Sequence, residues 1–281
     1  MKKQITYIFY FFLANVLVVN SQSLKMMTYN IRLDLESDGE NRWEMRKDFF
    51  VSQLDFFNPD IFGVQEALPN QVKDIEKGLK KYTVIGLGRE EGNTGESSSI
   101  FFKTEKFQLL EQNTFWLSET PERVSRGWDA ACNRVCTYAL LKDKKSKKTF
   151  YVFNTHLDHL GETARKNGIE LILQKIKLIN KSNLPLILMG DFNLTPSDER
   201  IQMIKKEMLD SREVSENDPF GSVGTFNGFN YTKQATDRID YIFLLNNNKL
   251  KVNKYAVFNE SNNLKFASDH FPVYVELKFI K

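Results

Sequence analysis

The stretch LILMGDFN, residues 186–193, runs an apolar segment directly into an acid and an amide, and the arrangement recurs along the chain. MMTYN stops at Asn30, FGVQE at Glu66 and YVFNTH at His156, while RIDYIF places Asp240 at a strand start and SDHFP sets Asp269 and His270 ahead of another. Apolar runs of about four to eight residues, rich in β-branched and aromatic types and bounded by turn formers, predict strands. One acid at a strand end is an ordinary turn or capping group. Six such ends in one chain predict strands that share a rim where their polar residues meet.

The rest of the pattern supplies the layers. Strands are predicted over Leu24–Asn30, Ile61–Gln65, Tyr82–Ile85, Ser98–Lys103, Gln108–Leu117, Val135–Lys142, Thr149–Thr155, Leu186–Gly190, Ile239–Leu245, Lys251–Phe258 and Val273–Phe279. Apolar residues at helical spacing predict helices over Trp43–Phe57, Pro69–Lys81 and Glu162–Lys181. The charge run DKKSKK reads as a solvated hairpin turn. Strands joined as hairpins, with few helices, predict two sheets facing each other under a helical cover rather than a doubly wound parallel sheet. At 281 residues and 41% hydrophobic, with no repeat and no Pro/Gly-rich linker, the chain suits one domain over 24–281.

Residues 1–23 read differently. Lys2 and Lys3 precede an apolar run from Ile5 to Val19 and a small polar stretch, the three-part layout of a signal peptide. An exported protein, periplasmic or secreted and without stable membrane insertion after cleavage, is expected; a monomer is expected too. The leader lysines account for two of the formal +3 charges, which leaves +1, a weak basic excess for a dedicated duplex binder. Cys132 and Cys136 on one extended strand would lie about 13 Å apart, too far to bridge, so two free thiols are expected. GREEGNTGE lacks the GKS/T of a phosphate-binding loop and reads as a mobile loop. Trp116, Trp128 and Phe229 could stack on a base or sugar, although aromatics in so aromatic a chain are more often core.

Taken in order, YN, QE, THLDH, GDFN, RIDYI and SDHFP resemble the endonuclease/exonuclease/phosphatase superfamily, over essentially all of residues 24–281. The resemblance implies a DNase I-like α/β fold, a four-layer α-β-β-α sandwich of two mainly antiparallel sheets, with the site at one end. It also implies metal-dependent hydrolysis of phosphate esters, usually with Mg²⁺ and with Mn²⁺ as a substitute. The chemistry agrees, because an anionic ester needs charge offset, an in-line water and stabilisation of the leaving oxygen.

Carried onto this sequence, Glu66 is the principal metal ligand, with Asn30 and Asp269 close to the ion. Asp191 is the base for the attacking water, and Asn193 holds that water or the phosphate. His270, oriented by Asp240, faces the scissile phosphate, and His156 contacts a phosphate oxygen. Arg134 is a candidate phosphate clamp, and Glu96 resembles a glutamate that buttresses the histidine. His159 is expected to cap a helix or lie on the surface. The substrate is a phosphate ester, nucleic acid or small molecule. A phosphodiesterase of nuclease type is the first expectation, an enzyme of small phosphorylated sugars, inositols or lipid head groups the alternative, and an inactive binding module the reading of another class.

Overall fold

The computed structural model describes residues 23–280, so the expected leader lies outside the described residues apart from Ser23. The strands are β1 (Leu24–Asn30), β2 (Ile61–Gln65), β3 (Tyr82–Ile85), β4 (Gly88–Glu90), β5 (Thr94–Ser97), β6 (Ile100–Lys103), β7 (Phe107–Trp116), β8 (Val135–Asp143), β9 (Thr149–His156), β10 (Leu186–Asp191), β11 (Met208–Asp210), β12 (Phe220–Gly221), β13 (Asp240–Leu245), β14 (Leu250–Val257) and β15 (Val273–Phe279). The α-helices are α1 (Trp43–Phe57), α2 (Pro69–Gly78), α3 (Glu162–Ile179) and α4 (Glu199–Lys205). One sheet has the order β12-β14-β15-β1-β2-β6-β3 and the other β11-β13-β10-β9-β8-β7. Their pairings are antiparallel except β1 with β2, β9 with β10 and β12 with β14.

Strand alternation builds the layers. On β10, Ile187 and Met189 enter the core between the sheets, whereas Leu186 and Leu188 pack with Ile169, Ile172 and Ile176 of α3. On β1, Leu24 and Met26 face the same central core, and Met27 and Tyr29 pack with Phe50 and Leu54 of α1. Each sheet thus buries both faces, one against the other sheet and one beneath helices, which gives the four-layer α-β-β-α order. Among the described residues no helix is long and apolar enough to cross a membrane.

The same period of two aims the polar strand ends. Continuing the inward register, Asn30 follows Leu24 and Met26, and His156 follows Phe150 and Val152. Asp191 follows Ile187 and Met189, and Asp240 precedes Ile242 and Leu244. Pairing then fixes the neighbours: Asp191 sits opposite His156 on one side and Asp240 on the other. Gly190, at φ 147°, permits this approach, since a Cβ there would stand 2.0 Å from the Thr155 carbonyl oxygen.

Below the rim lies a polar layer that the sequence reading did not identify. Buried Gln65 donates to Thr28 Oγ1 (3.0 Å) and Asn154 Oδ1 (2.7 Å), and Asn154 Nδ2 donates to the carbonyls of Val64 and Ser99, each at 2.9 Å. Gly63 leaves room for it, because a Cβ at that position would meet Asn154 Cγ at 2.6 Å and Met189 Cε at 2.7 Å. Gly63→Ala is therefore expected to cost about 1–3 kcal/mol by overpacking. Chemical denaturation checks this, and an unchanged midpoint would show that the layer is not close-packed.

Differences from the expected elements fall mostly at ends. The second helix stops at Gly78 rather than Lys81, α3 at Ile179 rather than Lys181, and the strand expected from Ser98 starts at Ile100. One correction is larger: GREEGNTGE, expected as a loop, forms the two-stranded ribbon β4–β5, closed by Asn93 Oδ1, which accepts from Gly88 N (2.6 Å). DKKSKK is the expected β8–β9 turn, in which Asp143 Oδ1 accepts from the backbone N–H groups of Lys145 and Ser146. Cys132 and Cys136 are free thiols.

Candidate active site

Asp191, 1% exposed, is the hub of the rim. Its Oδ2 accepts from Asn30 Nδ2 (2.9 Å) and lies 3.5 Å from His156 Nε2 and 3.8 Å from His270 Nε2. Its Oδ1 accepts from Asn193 N (2.9 Å), an Asx turn that follows from the spacing in GDFN. Asn30 Nδ2 also donates to Glu66 Oε1 (3.0 Å), so one amide bridges the expected base and the expected metal ligand. Asn30 Oδ1 accepts from Arg32 N (3.0 Å), which orients the amide. Glu66 reaches this face by leaving strand geometry: its φ of 63° turns the chain after Gln65, and Leu33 N donates to Glu66 Oε2 (3.1 Å). Left-handed backbone at Glu66 and Asn193 (φ 50°) holds strain of order 1–3 kcal/mol per residue, which the surrounding bonds offset.

The two buried histidines are driven to opposite charge states. Burial works against protonation of His270, but Asp240 Oδ2, 2.8 Å from its Nδ1, together with Asp191 and Asp269, outweighs that and holds the ring well above the usual histidine range. His156 goes the other way, because burial and the neighbouring Arg134 push it well below that range. Arg134 Nη1 stands 2.9 Å from His156 Nδ1 and Asn193 Nδ2 3.1 Å from its Nε2, so donors face both ring nitrogens and the neutral ring accepts at one of them. Histidines whose surroundings separate them in this way mark acid–base sites.

All the predicted site residues except Asn30 and Asp240 line one cavity of about 560 Å³, whose wall also includes Arg32, Leu33, Arg89, Ala131, Cys132, Phe226 and Ile239. Asn30 and Asp240 stand just behind it, tied to Asp191 and His270 respectively. Arg134 is buried, with Nη2 3.1 Å from His159 Nδ1 and Nε 3.5 Å from Asp158 Oδ2. His159, expected at a cap or on the surface, is exposed but belongs to the cavity wall through that contact. The histidine-buttress role expected of Glu96 is corrected: its carboxylate takes both terminal nitrogens of Arg89 at 2.7 Å and lies 3.8 Å from Arg134 Nη1, so it reaches His156 only through Arg134. Arg89 was missed; its signal was its place in the ribbon sequence, seven residues before Glu96 on the paired strand.

The donor set fits a hard divalent cation. Glu66, Asp269 and Asp191 line the same cavity and offer carboxylate oxygens, the ligand type such ions take, while the ligand atoms of Asp191, Asp240 and His270 lie within 4.8 Å of one another. Burial pushes Asp269 up, and burial together with Asp240 pushes Asp191 to about 7, so the cluster carries more negative charge than its surroundings stabilise. Asp240 Oδ1 is buried without a hydrogen-bond partner among the described residues. A cation at Glu66 and Asp269 would favour the charged form of Asp191 in the same cavity, so affinity is expected to rise as pH increases through about 7 and to level off above it. Calorimetric titration with Mg²⁺ in buffers of different ionisation enthalpy checks the proton release; equal affinity at pH 6 and pH 8 would contradict it.

Residues 27–270 match the model of the endonuclease/exonuclease/phosphatase family. A solved endonuclease/exonuclease/phosphatase from Bacteroides vulgatus is 35% identical, with a TM-score of 0.86 and 92% of this chain covered against 100% of that one. A mannosyl-6-phosphatase from Bacteroides thetaiotaomicron is 36% identical, with a TM-score of 0.84 and the same two coverages. The probable RNA exonuclease NGL3 of Saccharomyces cerevisiae is 29% identical over 213 residues, 68% of this chain and 41% of its own length. The chain spans between 30% and 59% of the first curated relatives it matches. By the extent of the family match, and with a site whose carboxylates and histidines meet where two packed sheets end, the chain belongs to the endonuclease/exonuclease/phosphatase family, whose members are hydrolases acting on phosphate esters.

Proposed function

We propose that the protein is an exported, divalent-cation-dependent phosphatase of small phosphate monoesters, with phosphorylated sugars as the substrate class. The observation that carries the substrate reading is the cavity. At about 560 Å³ it lies within the range of small-ligand pockets. Its arginines are matched locally, Arg32 by Asp38, Arg89 by Glu96, and Arg134 by Glu96 and Asp158, rather than presented as a basic track for a polyanion. The low formal charge agrees, as does likeness to a mannosyl-6-phosphatase along that enzyme's whole length. This favours the small-molecule branch over the nuclease branch that the sequence put first. Export rests on the Lys2-Lys3 leader pattern.

In the reaction, water attacks phosphorus, the ester P–O bond breaks and the alcohol leaves with a proton. Asp191 takes the proton of the attacking water, its basicity raised by burial and by Asp240 above that of a free carboxylate. Protonated His270 presents Nε2–H to the phosphate oxygens while Asp240 holds Nδ1. Asn193 Nδ2 and His156 Nε2, 3.1 Å apart, flank the same space, and Arg134 Nη1 holds the far side of the neutral ring at Nδ1. A divalent cation held by Glu66 and Asp269, when bound, offsets phosphate charge and stabilises the leaving oxygen.

The test is hydrolysis by the purified protein with Mg²⁺, with and without EDTA, across hexose 6-phosphates, p-nitrophenyl phosphate, bis-p-nitrophenyl phosphate, RNA and plasmid DNA. EDTA-sensitive turnover of the monoesters, with the hexose phosphates best, is expected. Turnover confined to diesters or polynucleotides would replace this reading with the nuclease one.

A further inference from the structure

Phe226 is an aromatic member of a cavity wall made largely of charged and polar groups. It is 41% exposed, whereas its neighbours Thr225 and Asn227 are buried, so the three residues alternate as a strand does. Both neighbours are fastened to the site. Thr225 Oγ1 accepts from the backbone N–H groups of Ile239 (3.0 Å) and Asp240 (3.2 Å), and Asn227 Nδ2 donates to the Ser268 carbonyl (3.1 Å). Backbone bonds from Phe271 N to Thr225 O (2.6 Å) and from Asn227 N to Asp269 O (2.8 Å) complete the attachment, and Phe226 bridges His270 antiparallel. The segment that carries the ring is therefore fastened to the start of β13 on one side and to the Ser268–Phe271 segment on the other.

Its centroid stands 5.1 Å from that of His270 at 66°, an edge contact that covers only part of the aromatic surface. A phosphate facing His270 Nε2 places its alcohol one ester linkage away, within reach of what remains. Aromatic side chains bring large apolar area with few rotatable bonds, so a fixed ring binds a flat or chair-shaped partner at low entropic cost.

We infer that Phe226 is the surface on which the ring of the leaving alcohol packs, making it a specificity-determining residue for ring-bearing phosphate esters, hexose phosphates foremost. The inference rests on the reading of the cavity as a phosphate-ester site, and it adds what selects the alcohol. Leu33 and Ile239, both on the cavity wall, supply further apolar surface.

The experiment compares the wild type with Phe226→Ala and Phe226→Trp on a hexose 6-phosphate, p-nitrophenyl phosphate and glycerol 3-phosphate, whose alcohol has no ring, with a pH profile for each. Phe226→Ala is expected to lower kcat/KM for the hexose phosphate about tenfold, mainly through KM, with a clearly smaller loss on glycerol 3-phosphate. Phe226→Trp is expected to restore most of it, and the pH profile to hold its shape. An equal loss on all three esters, or a displaced pH profile, would show that Phe226 acts by positioning His270 and would overturn the inference. If the wild type turns over no hexose phosphate, the proposed sugar phosphatase falls separately, and the ratio between p-nitrophenyl phosphate and glycerol 3-phosphate still decides the role of Phe226.

Discussion

Asp191→Asn is expected to lower kcat by about 10²–10⁴, the usual contribution of a positioned general base, with the fold intact. The substitution keeps the shape of the side chain and an oxygen for Asn193 N, exchanges the Oδ2 that accepts from Asn30 Nδ2 for an amide nitrogen, and removes the group that takes the water proton. A second consequence separates loss of chemistry from loss of structure. Burial and Asp240 raise the Asp191 carboxyl from 3.8 to about 7, so between those two pH values the unfolded chain gives up this proton first and native stability falls as pH rises. An amide has no such charge to carry. At pH 8 without divalent cation, Asp191→Asn is expected to melt higher than the wild type while being nearly inactive, the trade seen when an active site holds destabilising groups. Melting scans paired with kinetics check both. Activity within about threefold of wild type would remove Asp191 from the role of base, and a lower melting temperature would contradict the repulsion between Asp191 and Asp240.

What the sequence made legible follows from the period of strands. Alternation along MMTYN, YVFNTH and LILMGD carries Asn30, His156 and Asp191 onto one face without reference to anything distant, so their convergence is written in local pattern. Pairing is not local. That Asp191 stands between His156 and Asp240 depends on the order β13-β10-β9, which joins residues 35 and 49 positions apart and leaves no mark in any one segment. The layer of Thr28, Gln65 and Asn154 was hidden for the same reason, since each looks like an isolated polar residue in an apolar strand until the sheets are stacked. Glu96 and His159 show the same limit, since Glu96 was placed by resemblance and His159 by its local motif, whereas Arg89 and Arg134, whose positions only the fold supplies, decide what they touch.

EDTA is expected to reduce hydrolysis to background, and Glu66→Gln to have nearly the same effect at ordinary Mg²⁺ concentrations. Among the described residues Glu66 receives Asn30 Nδ2 and Leu33 N as hydrogen-bond donors, and it lines the same cavity as Asp191 and Asp269. Acids gathered on one cavity repel one another unless a cation or a proton intervenes, and the cation leaves Asp191 free to act as a base. Replacing a mere outer partner of a metal ligand commonly costs 10- to 100-fold in affinity, so losing the principal carboxylate is expected to cost on the order of 100-fold or more. The readout need not be activity. A cation at 100 times its Kd stabilises the native state by about 2.7 kcal/mol, a shift visible in melting of the wild type and absent from Glu66→Gln. Hydrolysis indifferent to EDTA would sink the cation assignment altogether. A melting shift of equal size in wild type and variant, with EDTA-sensitive turnover, would keep the cation and move its principal ligand from Glu66 to the cluster of Asp191, Asp240 and His270, whose ligand atoms all lie within 4.8 Å of one another.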